Sequence, residues 1–587
     1  MVGARGSGGR DAAGGEGRGE GYKWVALTNT TLGVLLATID SSIMLIAMPD
    51  IFRGVKLDPL LPGNSFYLLW MILGFLIVSS VLVVSLGRLG DVHGRVRMYN
   101  LGFVVYTSAS LVLTVDPLTG RAGAMWLIVA RIVQGVGAAF IIANSAAILT
   151  DAFPTNQRGL ALGINNIAGI SGSFIGLILG GVLAPIDWRL VFLVSVPFGL
   201  AGTVWAYTKL EDRGVRTRAP IDWTGNLTFA AGLILVMVGI TYGIEPAGGH
   251  DMGWSSPAVL AELIGGAALL AAFLVIETRV RYPMFRLALF RIRAFTFGTL
   301  STFLSAVGRG GLMFILIIWL QGIWLPEHGY SFTSTPLWAG IYMLPLTAGF
   351  LLAGPTSGIL SDRFGSRPFA TGGMIGAAGS FVALLFLPVD FSYWQLALLL
   401  LLNGLSMGAF ASPNRAGVMN SLPADQRGAG GGMNATFQSS AQVLSIGIFF
   451  TLMILGLAST LSTRLVSGLS SHGLPRAVAE RVGHLPPVSV LFAAFLGYNP
   501  VKSLVGAKAL GSVSAANEAV LTGHSFFSRL IAQPFHSGLV EAFGFAAAAC
   551  VVAAAASWSR GKRYVDEGGP GTPAPAAEGR LPETSSR

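Results

Sequence analysis

Cysteine is almost absent: Cys550 is the one cysteine in 587 residues, which excludes a disulfide framework and a thiolate metal cluster. Charge is scarce too, at 11% of residues against about 25% in soluble domains. So few charges cannot coat a water-facing surface around a chain that is 53% hydrophobic. No phosphate loop of the form Gly-x-x-x-x-Gly-Lys-Ser/Thr and no His-Glu-x-x-His pair occurs. Neither nucleotide-driven pumping by this chain nor zinc hydrolysis is therefore expected. The chain reads as a protein without enzymatic activity, cofactor or metal.

Long apolar runs take the place of these features. A bilayer core about 30 Å thick needs about 20 mostly apolar residues per helix. Fourteen such stretches follow one another, at 24–48, 64–86, 98–115, 123–149, 159–183, 189–208, 223–244, 257–277, 293–320, 334–358, 368–388, 393–414, 428–456 and 538–558. The first has no small-residue cleavage site and is too long for a removable signal peptide. Residues 1–22, rich in Gly, and 559–587, rich in Pro, Ala, Gly and Glu, are expected to be disordered ends. The net charge of +10 lies in alternate loops, among them Arg88, Arg95, Arg97, Arg158, Lys209, Arg213, Arg279, Arg281, Arg363 and Arg367. That asymmetry places both termini in the cytoplasm of a multi-pass plasma-membrane protein and accounts for the basic charge without nucleic acid.

Two motifs repeat. Gly87-x-Leu89-x-Asp91-x-x-Gly94 returns 271 residues later as Gly358-x-Leu360-x-Asp362-x-x-Gly365. Pro154-x-x-Gln157-Arg158-Gly159-x-x-x-Gly163-x-Asn165 returns 269 residues later as Pro423-x-x-Gln426-Arg427-Gly428-x-x-x-Gly432-x-Asn434. Agreement of the two offsets predicts an all-α polytopic fold of two six-helix halves, 23–208 and 293–558, with two helices inserted in 209–292. The alignment also places Gly404-Leu405-Ser406-Met407-Gly408, a match to a hydrolase nucleophile signature, inside an apolar stretch opposite Gly135–Ala139. Helix packing explains it better than catalysis. Residues 457–537 read as a long outside loop. Its apolar segment 485–497 is too short to span, so it is either an interfacial or re-entrant element or a contact closing the loop on itself.

An ionisable side chain at membrane depth costs at least about 2.5 kcal/mol, so each asks for a partner or a role. Asp40 shares a helical face with Asn29 and Gly33, at a depth where a carboxylate gains by taking a proton. It is a candidate proton site, or a structural acid held by a helix dipole or an arginine. Arg131 keeps its charge, and Gln134 three residues on shares its face. Whether Arg131 meets Asp40 or is a counter-ion elsewhere stays open at this level. Arg309 and Glu541 are weaker candidates of the same kind. Gly87, Asp91, Gly94 and Arg95, with Gly358, Asp362 and Gly365 in the second copy, combine sharp turning with charge and suggest a latch between the halves. Gly172, Gly176 and Gly180 form a small-residue stripe suited to close helix contact.

At these residues the chain resembles the drug:proton antiporters of the major facilitator superfamily, in the fourteen-helix branch known as the EmrB/QacA type, over roughly residues 24–560. Asp40-Ser41-Ser42-Ile43 through Ala47-Met48-Pro49 resembles that branch's helix-1 motif, which implies a role for Asp40 in coupling or substrate recognition. The loop Gly87–Arg97 resembles the signature between helices 2 and 3, implying a conformational latch at Gly87, Asp91, Gly94 and Arg95, with Val92 where a basic residue is usual. Arg131-x-x-Gln134-Gly135-x-Gly137 resembles the helix-4 motif linked to proton transfer. Gly163, Gly172, Gly176 and Gly180 match the helix-5 antiporter motif, with Leu177 in place of its proline. The resemblance implies proton-coupled efflux of hydrophobic or amphipathic small molecules by a monomer working by alternating access. Its partners would be protons and membrane lipids, and its energy source the proton gradient. A lipid or glycolipid exporter on the same fold is the rival reading, and a non-transporting receptor or enzyme a remote one.

Overall fold

The structure, a computed structural model, describes residues 11–561 except 59–60, 62, 155–156, 213–221, 249–251, 282, 284, 424–425 and 498, with the backbone alone at 11–20, 159 and 427–429. Of the ends expected to be irregular, residues 1–10 and 562–587 lie outside the described residues, as does Arg213, and the backbone is already helical from Asp11.

In hydrocarbon a backbone amide has no water to bond, so long apolar runs satisfy their N–H and C=O groups as helices. The first half comprises α1 (Asp11–Val55), α2 (Asn64–His93), α3 (Arg95–Thr114), α4 (Gly120–Ala152), α5 (Arg158–Leu183) and α6 (Leu190–Lys209). An inserted pair follows, α7 (Trp223–Ile244) and α8 (Pro257–Arg279). The second half comprises α9 (Arg293–Glu327), α10 (Thr335–Phe364), α11 (Ser366–Leu385), α12 (Tyr393–Asn420), α13 (Arg427–Ser471) and α14 (Phe526–Trp558). Among the described residues thirteen helices are long and apolar enough to cross a membrane. The remaining one, α3, has 20 residues and opens with Arg95 and Arg97; counting it gives fourteen.

The two halves repeat each other's packing. In the first, α1 lies on α4 and α5, α2 on α4, and α3 on α4 and α6; in the second, α9 lies on α12 and α13, α10 on α12, and α11 on α12 and α14. The repeated glycines serve the same turn in both. Gly94 (φ 106°) joins α2 to α3 and Gly365 (φ 88°) joins α10 to α11 with no intervening loop. Positive φ at these positions is strained for any residue with a Cβ. The inserted α7 lies beside α2, where Ser85 Oγ donates to Asn226 Oδ1 at 2.5 Å and Ser65 Oγ donates to Glu245 Oε2 at 2.7 Å.

The face that carries both termini is here the termini face, and the opposite one the distal face. The halves meet through α5 with α10 and α2 with α13. At the distal end of the first pair the backbones touch: a Cβ on Gly181 would lie 2.5 Å from Leu337 Cα. Gln321 of α9 donates to the carbonyl of Ile46 in α1 at 3.2 Å. Helix α13 runs on to Ser471 and α14 starts at Phe526, so the loop expected at 457–537 is shorter, 472–525. It folds into short helices, one of which, Pro487–Phe495, is buried along its whole length.

That helix is inserted between α2, α9 and α13 instead of closing the loop on itself. The Phe492 ring lies 5.3 Å from Phe450, and Phe495 lies 6.3 Å from Phe314. A π turn at Leu320–Trp324 brings Gly322 against Ala494, where a Cβ would come within 3.0 Å. Phe492→Ala removes a fully buried ring and is expected to lower stability by about 3–5 kcal/mol. Thermal unfolding of the purified protein in detergent measures it. A melting temperature equal to that of the exposed control Val551→Ala would show that the inserted helix carries no stability.

Candidate functional site

Asp40 and Arg131, 91 residues apart, form an ion pair at the centre of the first half, with 0% and 1% of their side chains exposed. Gln134 closes the cluster. It accepts from Arg131 Nη1 at 2.8 Å and donates through Nε2 to Asp40 Oδ1 at 3.0 Å and to Ser110 Oγ at 2.9 Å. The guanidinium lies 4.4 Å above the Phe75 ring of α2, and Arg131 Nε has no partner among the described residues. Helices α1, α2 and α3 thus each supply one part of the cluster and α4 supplies two. All three candidates named from sequence, Asp40, Arg131 and Gln134, come together here. Ser110 and Phe75 carry no ionisable group and gave no signal in the sequence.

The helices around Asp40 are held at backbone distance. Tyr99 and Tyr106 of α3 donate their hydroxyls to the carbonyls of Asn29 (3.0 Å) and Leu36 (3.3 Å) in α1. On the other side, α5 lies directly on the carbonyls of Leu35, Ile39 and Ile43. A Cβ at Gly172 or Gly180 would stand 2.9 Å from one of them, and Gly176 is closer still. The small-residue stripe therefore clamps the turn of α1 that bears Asp40. Gly163 takes no part, since nothing lies within 4 Å of its Cβ position. Leu177, standing where the resembled motif has proline, is buried with its carbonyl 3.2 Å from the Cβ position of Gly340 in α10, at the seam between the halves.

Chemically, the cluster is a fixed cation and a titratable anion that neutralise each other where water is excluded. Arginine does not lose its proton in such a setting. With a neutral side chain at position 40, Arg131 would have no counter-charge in its surroundings, and an unpaired buried charge is strongly destabilising.

A second charged cluster closes the termini end of the same half. Arg95 bonds Asp91 Oδ1 at 2.8 Å from Nη2 and Asp151 Oδ1 at 2.6 Å from Nη1, joining the α2–α3 turn to the end of α4. The latch expected between the halves is here a tie within the first half, because the partner acid sits on α4. Asp151 was not singled out from sequence, although it lies three residues before Pro154 of the repeated motif. In the second copy Gly358, Asp362 and Gly365 keep the turn, but Ser366 and Asn420 stand where the first copy has Arg95 and Asp151. The same triad cannot form there.

Arg309 is half-buried on α9, its guanidinium 5.9 Å from the Phe350 ring, with no ion pair among the described residues. Glu541 faces outward on α14 beside Val540 and joins neither cluster. No group of three metal-ligating side chains occurs among the described residues.

Two six-helix halves with matching packing, an inserted pair and a glycine-turn signature in each half define a membrane transporter fold. The model of the Major Facilitator Superfamily matches residues 30–446, and the chain belongs to that superfamily. The tetracenomycin C resistance and export protein of Streptomyces glaucescens is 27% identical, with 94% of each chain covered. The riboflavin transporter RibZ of Clostridioides difficile is 27% identical over 73% of this chain and 87% of its own length. Among solved structures, a bacterial homolog of the human lysosomal transporter Spinster, in an inward-facing and occupied conformation, superposes with a TM-score of 0.53. It is 16% identical over 92% of this chain and 97% of that one, a likeness of fold.

If Arg95 and Asp151 are energetic partners, Arg95→Gln and Asp151→Asn together should cost less than the sum of the two. The expected coupling is about 0.5–3 kcal/mol. Thermal unfolding of the two single variants and the double variant measures it, and strictly additive losses would dissolve the tie.

Proposed function

We propose that the protein exports hydrophobic or amphipathic small molecules from the cytoplasm across the plasma membrane, driven by inward movement of protons through Asp40. The observation that carries this reading is the sealed cluster of Asp40, Arg131 and Gln134. A carboxylate and a permanent cation are costly to bury even when paired, and charges at membrane depth mark substrate or proton pathways. The arginines of alternate loops, on the termini face, support a cytoplasmic position for that face. The relation to an export and resistance protein supports efflux as the direction.

In this mechanism the ionised Asp40 pins Arg131 and holds α1 against α3, α4 and α5. Protonation releases Arg131, the balance between the inward-open and outward-open arrangements shifts, and return of the proton to the cytoplasm resets the pair. The tie between Arg95, Asp91 and Asp151 steadies the cytoplasmic end of the first half through both states.

A lipid substrate is the second reading, favoured by one feature. An apolar crevice of about 150 Å³ between α1, α5 and α6, lined by Leu35, Ile39, Ile175, Leu179 and Phe198, reaches the exposed face of the bundle and would accept part of an acyl chain.

The test is flux of an amphipathic dye from proteoliposomes under an imposed proton gradient, for the wild type and Asp40→Asn. The asparagine variant should lose gradient-driven flux by at least about tenfold while retaining the wild-type elution profile, as expected when an essential acid–base group is removed. Equal gradient-driven flux in the two proteins would remove Asp40 from the coupling.

A further inference from the structure

We infer that the space between the halves selects amphiphiles carrying an anionic group, and that Arg309 and Arg415 are the residues that receive it. This rests on the transport reading above and adds the charge of the substrate to it.

The argument starts from position. Arg415 lies on α12, five residues before its end at Asn420, and is exposed. Its Nη1 reaches across to Asn166 Oδ1 of α5 in the other half, at 3.3 Å. Only two side-chain hydrogen bonds join the halves among the described residues. The other, from Gln321 to Ile46, is near the distal face. Arg415 therefore stands at the seam between the halves on the termini side, away from the distal contacts.

Arg309 lies deeper along the same wall. Asn414, next to Arg415, donates to Thr302 Oγ1 at 2.7 Å and to the carbonyl of Gly298 at 3.2 Å, which fixes the level of Arg415 against α9. Arg309 is seven residues further along α9 than Thr302, about 10 Å at 1.5 Å per residue. It is half-buried, and its closest recorded contact is the face of Phe350.

The charge balance of the gap then decides the ligand. On the helices that form it, Asp40 is committed to Arg131, Asp91 and Asp151 to Arg95, and Asp50 to Arg53 at 2.6 Å. Asp362 and Glu327 lie in the last turns of α10 and α9. Arg309 within α9 and Arg415 near the termini end of α12 are guanidinium groups with no carboxylate partner among the described residues. An organic cation entering there meets repulsion, whereas a carboxylate, sulfonate or phosphate finds forked donors. The weak bond from Arg415 to a neutral amide is readily exchanged for an anion. Phe350 beneath Arg309 offers the apolar surface that the rest of an amphiphile needs. Such a substrate would meet Arg415 first and Arg309 second.

Anilinonaphthalene sulfonate and phenylnaphthylamine differ essentially by the sulfonate, and ethidium supplies a cation. Proteoliposome flux of each under a proton gradient, with equilibrium binding of the sulfonate to the purified full-length protein, forms the test. The wild type should move the sulfonate with kcat/KM at least about tenfold above that for phenylnaphthylamine, the equivalent of one good ionic contact. Arg309→Gln and Arg415→Gln should each bring that ratio towards one while phenylnaphthylamine flux persists, and Arg309→Lys should keep part of it. A wild-type ratio near one, a preference for ethidium, or a ratio unmoved in both glutamine variants overturns the inference and leaves the transport reading intact. If none of the three probes is transported, the transport reading fails by itself. Sulfonate binding that weakens in the glutamine variants would then still support the site, and binding indifferent to them would end it.

Discussion

A guanidinium that cannot shed its charge is enclosed by apolar helices, and the architecture of the first half follows from the need to neutralise it. Arg131 would be intolerable at that depth without Asp40. Asp40 can serve it only if α1 is drawn to within hydrogen-bonding distance of α4. The tyrosine hydroxyls of α3 that cap carbonyls of α1, and the glycine stripe of α5 that admits α1 at backbone distance, secure that approach. Close helix contacts in this half are thus gathered around the buried Asp40.

The second half repeats the frame and omits the charge. Helix for helix its packing matches the first, and the glycine at the helix turn is kept at Gly365. Its counterparts of Arg95 and Asp151 are Ser366 and Asn420, however, and it has no counterpart of the Asp40–Arg131 pair. Arg415 of the second half reaches across to Asn166 of the first. Among the described residues the buried ion pair thus belongs to the first half alone.

At the distal face the seam is closed by three independent means. Backbone contact at Gly181, the bond from Gln321 to Ile46 and the buried helix Pro487–Phe495 all oppose separation there. The inserted helix touches both halves, so outward opening has to disengage it from at least one of them.

Much of this was legible in the sequence. Hydrocarbon admits few backbone conformations, so apolar length alone marked the helices, and two motif repeats with concordant offsets divided the chain into halves. Asp40, Arg131 and Gln134 stood out because charge is rare at membrane depth. Other features had no such mark. Ser110 and Phe75 are ordinary residues until α3 brings one to Gln134 and α2 the other to Arg131, and Asp151 lies among many loop-proximal charges. The segment 485–497 has the same composition whether it folds on its own loop or enters the bundle, and Arg95 could equally have reached across to the other half. The sequence by itself determined the helices, their repeat and the rare charges, because burial in lipid constrains these residue by residue. Only the tertiary structure decided which charges are paired, which face the gap and where the loop helix is seated, because those depend on distances between segments as many as 91 residues apart or more.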